Sequence, residues 1–349
     1  DTAGLPSDSY HLIEVHARDE NDNVGRSWVS VLVQPPPPSI VVRREVTRVG
    51  NYFDVILSIT NNSSVEAQDL TIRDLSWGYQ ALNKVRKASG STGAFGSERD
   101  ATVTYDTTSQ SSRLEFTYGD LAAHRTGRIR YQVIPILYEP GEEVLWPTIG
   151  DHLEVTFTHY DRLETVEPRS RWTSSTGRSN ALAASNYVIM TSPQELFRRE
   201  PATDVNALLC TMAELAREKN GALGYIELRG KSRRDIRDLW IPGGPWATQL
   251  APAFSSPNPD TNPAYVLVVG ETEIIPAGLY DVSMLDLVYS DGGRSDSVRR
   301  SDMYFADTIG DDERAELCVG RIIGNTALEM ITPIRSSLEV HYGSGFDLE

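Results

Sequence analysis

The segment Tyr265-Val-Leu-Val-Val-Gly270 decides the fold class of the C-terminal region. Its unbroken apolar run is typical of a parallel strand that is covered on both faces. A second apolar run, Glu316-Leu-Cys-Val-Gly-Arg321, follows, and Thr326-Ala-Leu-Glu329 has the spacing of a capping box that opens a helix. Ligand sites of open parallel sheets lie beyond the carboxyl ends of the strands. We therefore expect any chemistry at that edge, and we expect the sheet to continue beyond this sequence.

The residues upstream of Tyr265 supply the partners of this strand. Residues 187–191 and 223–228 are short apolar runs, and residues 235–240 have the pattern of a short helix. Between the two runs, an amphipathic helix is predicted, with Thr203 as its N-cap and Gly221 just after its end. Strands and helices that alternate in this way predict a mainly parallel α/β unit over residues 185–349. The five prolines of residues 241–262 predict a loop.

The N-terminal half has the alternation of antiparallel strands instead. Turns rich in Asn, Ser and Gly separate its runs, and this spacing predicts an immunoglobulin-like β-sandwich over residues 40–165. Residues 1–34 predict a hairpin, which belongs either to a module that begins upstream or to the next domain. Polar or proline-rich linkers are predicted at residues 35–39 and 166–184. The strands predicted in the sandwich are residues 52–60, 68–74, 101–105, 113–118, 127–136 and 152–159.

Composition excludes several functional classes. The net charge is −16 and the sequence pI is about 4.9. Such a surface repels nucleic acid and anionic lipid, because both are bound by basic surfaces. No apolar run approaches the roughly 18–20 residues that span a bilayer. The two cysteines, Cys210 and Cys318, lie in apolar segments, which favours buried free thiols over a disulfide or a metal site.

Five segments of the C-terminal region come in order: Asn186-Tyr-Val-Ile-Met190, Pro263-Ala-Tyr-Val-Leu-Val-Val-Gly270 with Ile275-Pro276, Ser301-Asp-Met-Tyr304, Leu317-Cys-Val-Gly-Arg-Ile322 and Glu339-Val-His-Tyr342. Taken together, they resemble the gingipain family of cysteine endopeptidases. In that family the catalytic domain has a caspase-like fold in two halves, and this region is similar to the first half. The resemblance implies that the catalytic His, in a Gly-His-Gly turn, and the nucleophilic Cys belong to the second half.

The sequence contains no Gly-His-Gly and no cysteine after Cys318. The resemblance therefore implies a scaffold that has no catalytic residue of its own and whose partner is the second half of the domain. The residues themselves agree, because a catalytic thiolate needs an exposed, polar position beside an imidazole. Cys318 lies in an apolar strand and His341 near a helix end, so structural roles are favoured for both.

These observations predict the noncatalytic N-terminal portion of a secreted or surface-displayed gingipain-like endopeptidase. The alternative is a structural or adhesive bacterial surface protein whose α/β unit is proteolytically inactive, beside other surface modules. A carbohydrate-binding module is a third hypothesis, based only on scattered Trp and Tyr. Both main hypotheses place the protein outside the cell or on its surface.

Two acidic clusters are candidates for Ca²⁺, which prefers hard oxygen ligands. The first is Asp19 and Asp22, with Asn21 and Asn23, and its alternative is a hairpin turn. The second, whose alternative is a solvated loop, is Asp307, Asp311, Asp312 and Glu313. Neither has the spacing of an EF-hand. Asn61 and Asn62 each open an N-x-S sequon and are candidate glycosylation sites.

Overall fold

The computed structural model describes residues 9–33, 37–137, 153–159, 162–167, 171–174, 182–229, 231–281, 298–309 and 314–341. Antiparallel β-structure dominates these residues, and six short or medium helices accompany it. Two large sheets carry the fold, one of five strands and one of eleven, and two separate hairpins complete it. The N-terminal hairpin consists of β1 (Ser9–Arg18) and β2 (Val24–Val33), and it forms a two-stranded sheet of its own. Among the helices described, none is long and apolar enough to cross a bilayer.

The β-sandwich predicted from alternation is present. The strands of this part of the chain are β3 (Ile40–Val49), β4 (Tyr52–Asn61), β5 (Ala67–Trp77), β6 (Tyr79–Ala81), β7 (Lys84–Ser89), β8 (Glu98–Asp100), β9 (Thr102–Asp106), β10 (Ser111–Leu121), β11 (Thr126–Leu137), β12 (Leu153–His159), β13 (Arg162–Val166) and β14 (Arg171–Ser174). The five-stranded sheet has the order β13-β12-β5-β10-β9 and faces strands β3, β4 and β11 of the larger sheet across a common apolar core.

Alternation explains the six strands that the sequence predicted. Six others were not predicted, namely β3, β6, β7, β8, β13 and β14, and β3 is the longest of them. In β3, Ile40, Val42 and Val46 point into the core, and Val41, Arg43 and Glu45 face solvent. Arg44 breaks the apolar series at an inward position, and this strand is absent from the sequence-based prediction. The second linker prediction also needs correction, because Arg171–Ser174 pairs in parallel with β3 at the sandwich edge.

The C-terminal region contains the predicted parallel strands. They are β15 (Tyr187–Thr191), β16 (Ala222–Tyr225), β17 (Tyr265–Val269) and β20 (Cys318–Ile322), and their order in the sheet is β16-β15-β17-β20. All three pairings between them are parallel. A small antiparallel hairpin, β18 (Gly278–Asp281) and β19 (Val298–Ser301), is inserted between β17 and β20.

The helices lie between these strands. Helix α2 (Ala202–Glu218) begins directly after Pro201, so the prediction of Thr203 as its N-cap is wrong. Its end agrees with the sequence: Asn220 has a φ of 49°, and the Gly221 amide donates to the Ala216 carbonyl at 2.7 Å. At α6, the Thr326 hydroxyl accepts from the Glu329 amide as the capping box requires. The helices are α1 (Pro193–Arg199), α2 (Ala202–Glu218), α3 (Arg233–Arg237), α4 (Pro252–Ser255), α5 (Met303–Ala306) and α6 (Ala327–His341).

The sandwich and the parallel strands share one continuous sheet. Strand β11 pairs in parallel with β16, through Ile136 with Leu223 and Leu137 with Gly224. The sandwich therefore covers the β16 edge of the parallel sheet, which would otherwise present unpaired backbone groups. At the other end, β20 is the last strand of the sheet among the residues described.

A turn of the sandwich also locks onto the end of α2. The Asn51 amide donates to the Asn220 side-chain oxygen at 2.9 Å, and the Asn51 side chain donates to the Asn220 carbonyl. Gly50 has a φ of +59°, and a Cβ there would lie 2.4 Å from the Asn220 oxygen. Glycine is therefore required both by backbone conformation and by space. The two regions meet as parts of one body.

Candidate functional site

The carboxyl ends of the parallel strands form the best candidate site. The chain passes from β15 to β16 on one side and then returns past β15 to β17 on the other, so the strand order reverses between β15 and β17. Open α/β sheets bind ligands in the crevice at such a reversal. The last residues of the strands at this edge are Thr191, Tyr225, Val269 and Ile322.

Hydrogen bonds fix the ends of β15 and β17 at this edge. The Thr191 hydroxyl donates to the Val269 carbonyl at 2.7 Å, and both residues are buried. Gly270 follows with a φ of +126°, and a Cβ there would lie 2.7 Å from the Ile274 side chain. The edge is therefore shaped by backbone geometry that only glycine adopts without strain.

Arg321, near the end of β20, holds the loops that follow β17 and β19. Its Nε and Nη2 donate to the two carboxylate oxygens of Asp302 at 2.8 and 2.6 Å. Its Nη1 donates to the carbonyls of Gly270 and Ile275 at 2.8 and 2.9 Å. A planar guanidinium suits this two-pronged contact with a carboxylate. The residues thus joined come from three of the segments on which the family resemblance rests.

We predict that Arg321→Lys destabilises the chain by about 1–3 kcal/mol, because an ammonium group cannot make the paired carboxylate contact and reach both carbonyls. Urea unfolding should show the loss, and limited proteolysis should cut sooner near Gly270. The matched control is Arg335→Lys on the exposed side of α6, for which we expect no measurable change. Equal stability of the two variants would show that Arg321 does not hold these loops.

A cleft of about 310 Å³ opens at the carboxyl ends of β15 and β16. The sandwich forms one wall, through Tyr105 and the β9–β10 turn, and Pro193, Tyr225 and Glu227 contribute to the other. Within the described residues, its lining contains neither a histidine nor a cysteine. The cleft can therefore receive a small ligand or a side chain, but it holds no nucleophile–base pair.

Neither cysteine is placed for catalysis at this edge. Cys318 is the first residue of β20, so it lies at the amino end of the strand, about 13 Å from the carboxyl end at a rise of roughly 3.3 Å per residue. Cys210 lies on α2 against the sandwich core, where its thiol is close to the Ala81 carbonyl. Burial raises the pKa of Cys210 to about 12. Its thiol therefore stays protonated at neutral pH, which is the wrong state for a nucleophile.

The described histidines do not complete a dyad either. His11 and His16 lie on the N-terminal hairpin, His124 lies in a sandwich turn, and His159 is buried at the end of β12. His341 is the last residue of α6. Cys318 and His341 thus belong to different elements of the α/β unit, at a strand start and at a helix end.

The predicted calcium ligands are only partly described. Asp19 accepts hydrogen bonds from the Asn23 side chain and from the backbone amides of Asn21 and Asn23. These bonds lower the pKa of Asp19, and the bond from the Asn23 side chain has the largest effect. Asp22 pairs with Arg18 at 3.4 Å. This is the geometry of the hairpin turn weighed as the alternative.

The second predicted cluster centres on Asp307, which is buried after α5, while Asp311, Asp312 and Glu313 lie outside the described residues. In the described part of the chain, no group of three His, Cys, Asp or Glu residues is arranged to hold a metal ion. Calcium binding stays a prediction for both clusters.

The glycosylation prediction at Asn61 needs correction. This side chain is fully buried, and its amide donates to the Val65 and Leu121 carbonyls at 2.7 and 3.1 Å. A glycan is attached at an exposed amide, so the folded chain does not offer Asn61 for it. Asn62 is exposed, and its glycosylation stays a prediction.

Comparison with known proteins gives a family match for one part of the chain. Residues 185–342 match the model of peptidase family C25, the gingipain family. No curated protein matches the chain. The C-terminal resemblance that the sequence predicted is confirmed by this match.

Three solved structures are similar to parts of the chain, with TM-scores from 0.22 to 0.24. The collagen-binding domain of a Staphylococcus aureus adhesin is 14% identical, with 38% of this chain and 93% of that chain covered and a TM-score of 0.22. The family 3a carbohydrate-binding module from the cipA scaffolding of Clostridium thermocellum is 14% identical, with 36% and 99% covered and a TM-score of 0.24. The collagen-binding domain of Erysipelothrix rhusiopathiae surface protein RspB is 12% identical, with 47% and 54% covered and a TM-score of 0.22.

Proposed function

We propose that the chain, whose residues 185–342 match peptidase family C25, is the noncatalytic N-terminal portion of a gingipain-like cysteine endopeptidase. Its parallel sheet is the first half of a caspase-like domain, and it supports a second half that carries the catalytic His and Cys. The second half belongs to the same precursor or to a chain cleaved from it. The intact enzyme acts outside the cell or on its surface and hydrolyses peptide bonds through an acyl-enzyme.

The placement of the two thiols is the observation that carries this proposal. The family is one of cysteine peptidases, yet Cys318 begins its strand at the amino edge and Cys210 is buried with a raised pKa. A nucleophile at the carboxyl edge must therefore come from other polypeptide. The Arg321 clamp and the Thr191 bond give that edge a fixed shape on which a second half can assemble.

The sandwich extends this support. It pairs with β16, locks the end of α2 through Asn51 and forms one wall of the cleft. A scaffold must hold catalytic groups within a fraction of an ångström of their working geometry. A body in which sandwich and sheet are continuous meets that need better than two units on a flexible linker.

The test uses the full encoded protein and the variants Cys210→Ala and Cys318→Ala. We expect both to keep kcat/KM for a peptide substrate within about threefold of the parent, since neither thiol reacts. The internal control is substitution of the first cysteine that follows a Gly-His-Gly turn downstream of Glu349, which should abolish turnover. A Cys318→Ala variant that folds normally but loses turnover would refute the proposal.

The same assay separates the adhesive alternative. A full-length protein that is folded and carries no Gly-His-Gly turn or downstream cysteine, and that hydrolyses no peptide, is the structural surface protein instead. In that case Cys210→Ala and Cys318→Ala would change no activity, because there would be none to change. The presence or absence of the Gly-His-Gly turn and the cysteine beyond Glu349 would then distinguish the two hypotheses.

A further inference from the structure

The cleft between the sandwich and the parallel sheet has polar side chains on both of its walls. The β9–β10 turn contributes Thr107, Thr108 and Gln110 from the sandwich, and Gln194 and Glu227 lie on the other wall. Within the described part of the chain, the side chains of Thr107, Gln194 and Glu227 make no hydrogen bond or ion pair. Gln194 and Glu227 are exposed, and Thr107 is half-buried. These three side chains are therefore available to a ligand.

The charge of the cleft disfavours an anionic ligand. Among the described residues that line it, Glu227 is charged and none is Lys or Arg. Asp106, which precedes Thr107, accepts hydrogen bonds from the Thr108 amide at 2.8 Å and from the Ser109 hydroxyl at 2.9 Å. These bonds lower the pKa of Asp106, so it is ionised at neutral pH. A carboxylate on each side of the cleft repels a phosphate, a sulfate or a sugar acid.

The hydrogen-bonding groups of the cleft favour a neutral ligand over a cation. The amide of Gln194 offers two donors and an acceptor, the Thr107 hydroxyl offers a donor and acceptors, and Gln110 adds a second amide. An ammonium or guanidinium group carries donors only, so it would leave the donors of these side chains without a partner. A hydroxyl group both donates and accepts. A ligand rich in hydroxyl groups therefore pairs with all of them.

The apolar part of the lining suits the face of a sugar ring. It consists of Tyr105, Pro193, Tyr225 and Ile226, and the rings of the two tyrosines meet at right angles with centroids 5.2 Å apart. A pyranose has C–H groups on its faces and hydroxyl groups around its edge, so it can bury apolar surface while its hydroxyls stay paired. The cleft volume of about 310 Å³ is at the lower end for small-molecule sites, which fits a monosaccharide or a disaccharide.

We propose that this cleft binds a neutral saccharide through the amides of Gln110 and Gln194, the Thr107 hydroxyl and the Glu227 carboxylate. Because the ligand contacts both the sandwich and the parallel sheet, its binding stabilises the junction between them. The proposal gives a location to the carbohydrate-binding hypothesis, for which the sequence offered only scattered Trp and Tyr. It does not depend on the peptidase assignment of residues 185–342.

The test is saturation-transfer difference NMR of the 349-residue chain with neutral monosaccharides and disaccharides of glucose, galactose, mannose and N-acetylglucosamine. We expect at least one of them to bind with a Kd on the order of 1 mM. Gln194→Ala should weaken that binding about tenfold, because the hydrogen bonds of its amide are lost. Gln68→Ala, which removes an exposed glutamine from β5, is the matched control and should change the Kd by less than about twofold.

Two further arms identify the ligand more closely. Methyl glycosides of the same sugars show whether the cleft takes the end of a glycan or a free sugar, because they lack the free anomeric hydroxyl. Glu227→Gln separates a saccharide from a cation. The new amide keeps an acceptor, so a neutral sugar should bind within about threefold of its affinity for the parent, whereas a cation would lose its counter-charge.

Four results would overturn the proposal. One is that no sugar of the panel binds, and another is that Gln194→Ala and Gln68→Ala bind a sugar equally well. The third is tighter binding of cadaverine than of every sugar, with loss of that binding in Glu227→Gln. The fourth is tighter binding of N-acetyl-triglycine amide than of every sugar, since the cleft would then be a peptide site.

Discussion

Replacing Arg44 by alanine is expected to destabilise the chain by about 3–5 kcal/mol, because it leaves a carboxylate buried without its partner. Arg44 and Asp74 lie in the sandwich core with side chains 0% and 1% exposed, and Arg44 donates to one oxygen of Asp74. The Tyr131 hydroxyl donates to the other oxygen. Burial alone would lower the pKa of Arg44, but the charge of Asp74 and the bond to it raise that pKa overall.

The measurement is urea unfolding followed by circular dichroism. Arg43→Ala is the matched control, since Arg43 is the neighbouring residue on the exposed face of the same strand, and it should shift stability by no more than about 0.5 kcal/mol. Combining Arg44→Met with Asp74→Leu and Tyr131→Phe should restore most of the loss, because the buried charges and the hydroxyl that binds the carboxylate are removed together. An Arg44→Ala variant as stable as Arg43→Ala would show that the ion pair does not support the sandwich.

Replacing Tyr225 by alanine is expected to cost about 3–5 kcal/mol and to loosen the contact between sandwich and parallel sheet. Tyr225 is the buried last residue of β16, and its ring meets the edge of Tyr105 from the sandwich at a centroid distance of 5.2 Å. Its hydroxyl donates to the Gln80 side chain at 3.2 Å. Burial raises its pKa well above the ordinary value, so this donor persists into alkaline solution.

Hydrogen exchange against denaturant concentration measures the effect in each region. In the parent, β11 of the sandwich and β15 of the parallel sheet should lose protection together. In Tyr225→Ala we expect β11 and β15 to lose protection at different denaturant concentrations. Tyr225→Phe, which loses only the hydroxyl bond, should cost about 1 kcal/mol. Tyr265→Ala on β17 is the control for loss of a ring away from the sandwich, because Tyr265 is 36% exposed and stacks on Tyr187 within the parallel sheet. If β11 and β15 lost protection at different denaturant concentrations in the parent, the sandwich and the parallel sheet would not unfold as one body.

Much of the fold follows from periodicity in the sequence. The run of residues 187–191 is a strand with the predicted bounds, and 265–270 differs by one residue, because each is apolar at successive positions and short. Alternation located six sandwich strands within a few residues. It missed β3, because an inward Arg44 interrupts the apolar series, although that same interruption is the signal of a buried ion pair.

The contacts between distant segments could not be predicted from one sequence. Nothing local to Asp302 indicates that it pairs with Arg321, and the β11–β16 pairing brings together two segments that are far apart in the chain. Pairing and register are set by tertiary packing rather than by propensity. The placement of Cys318 at the amino edge likewise depends on where its strand begins, which the apolar pattern defines only to within a few residues.

The most direct test of the scaffold assignment is covalent labelling of the full encoded protein with a peptidyl epoxide that reacts with catalytic thiolates, followed by mass spectrometric mapping of the adduct. We predict one adduct on a cysteine downstream of Glu349 and none on Cys210 or Cys318 of the folded protein. An adduct on Cys318 that a peptide substrate competes away would contradict the account.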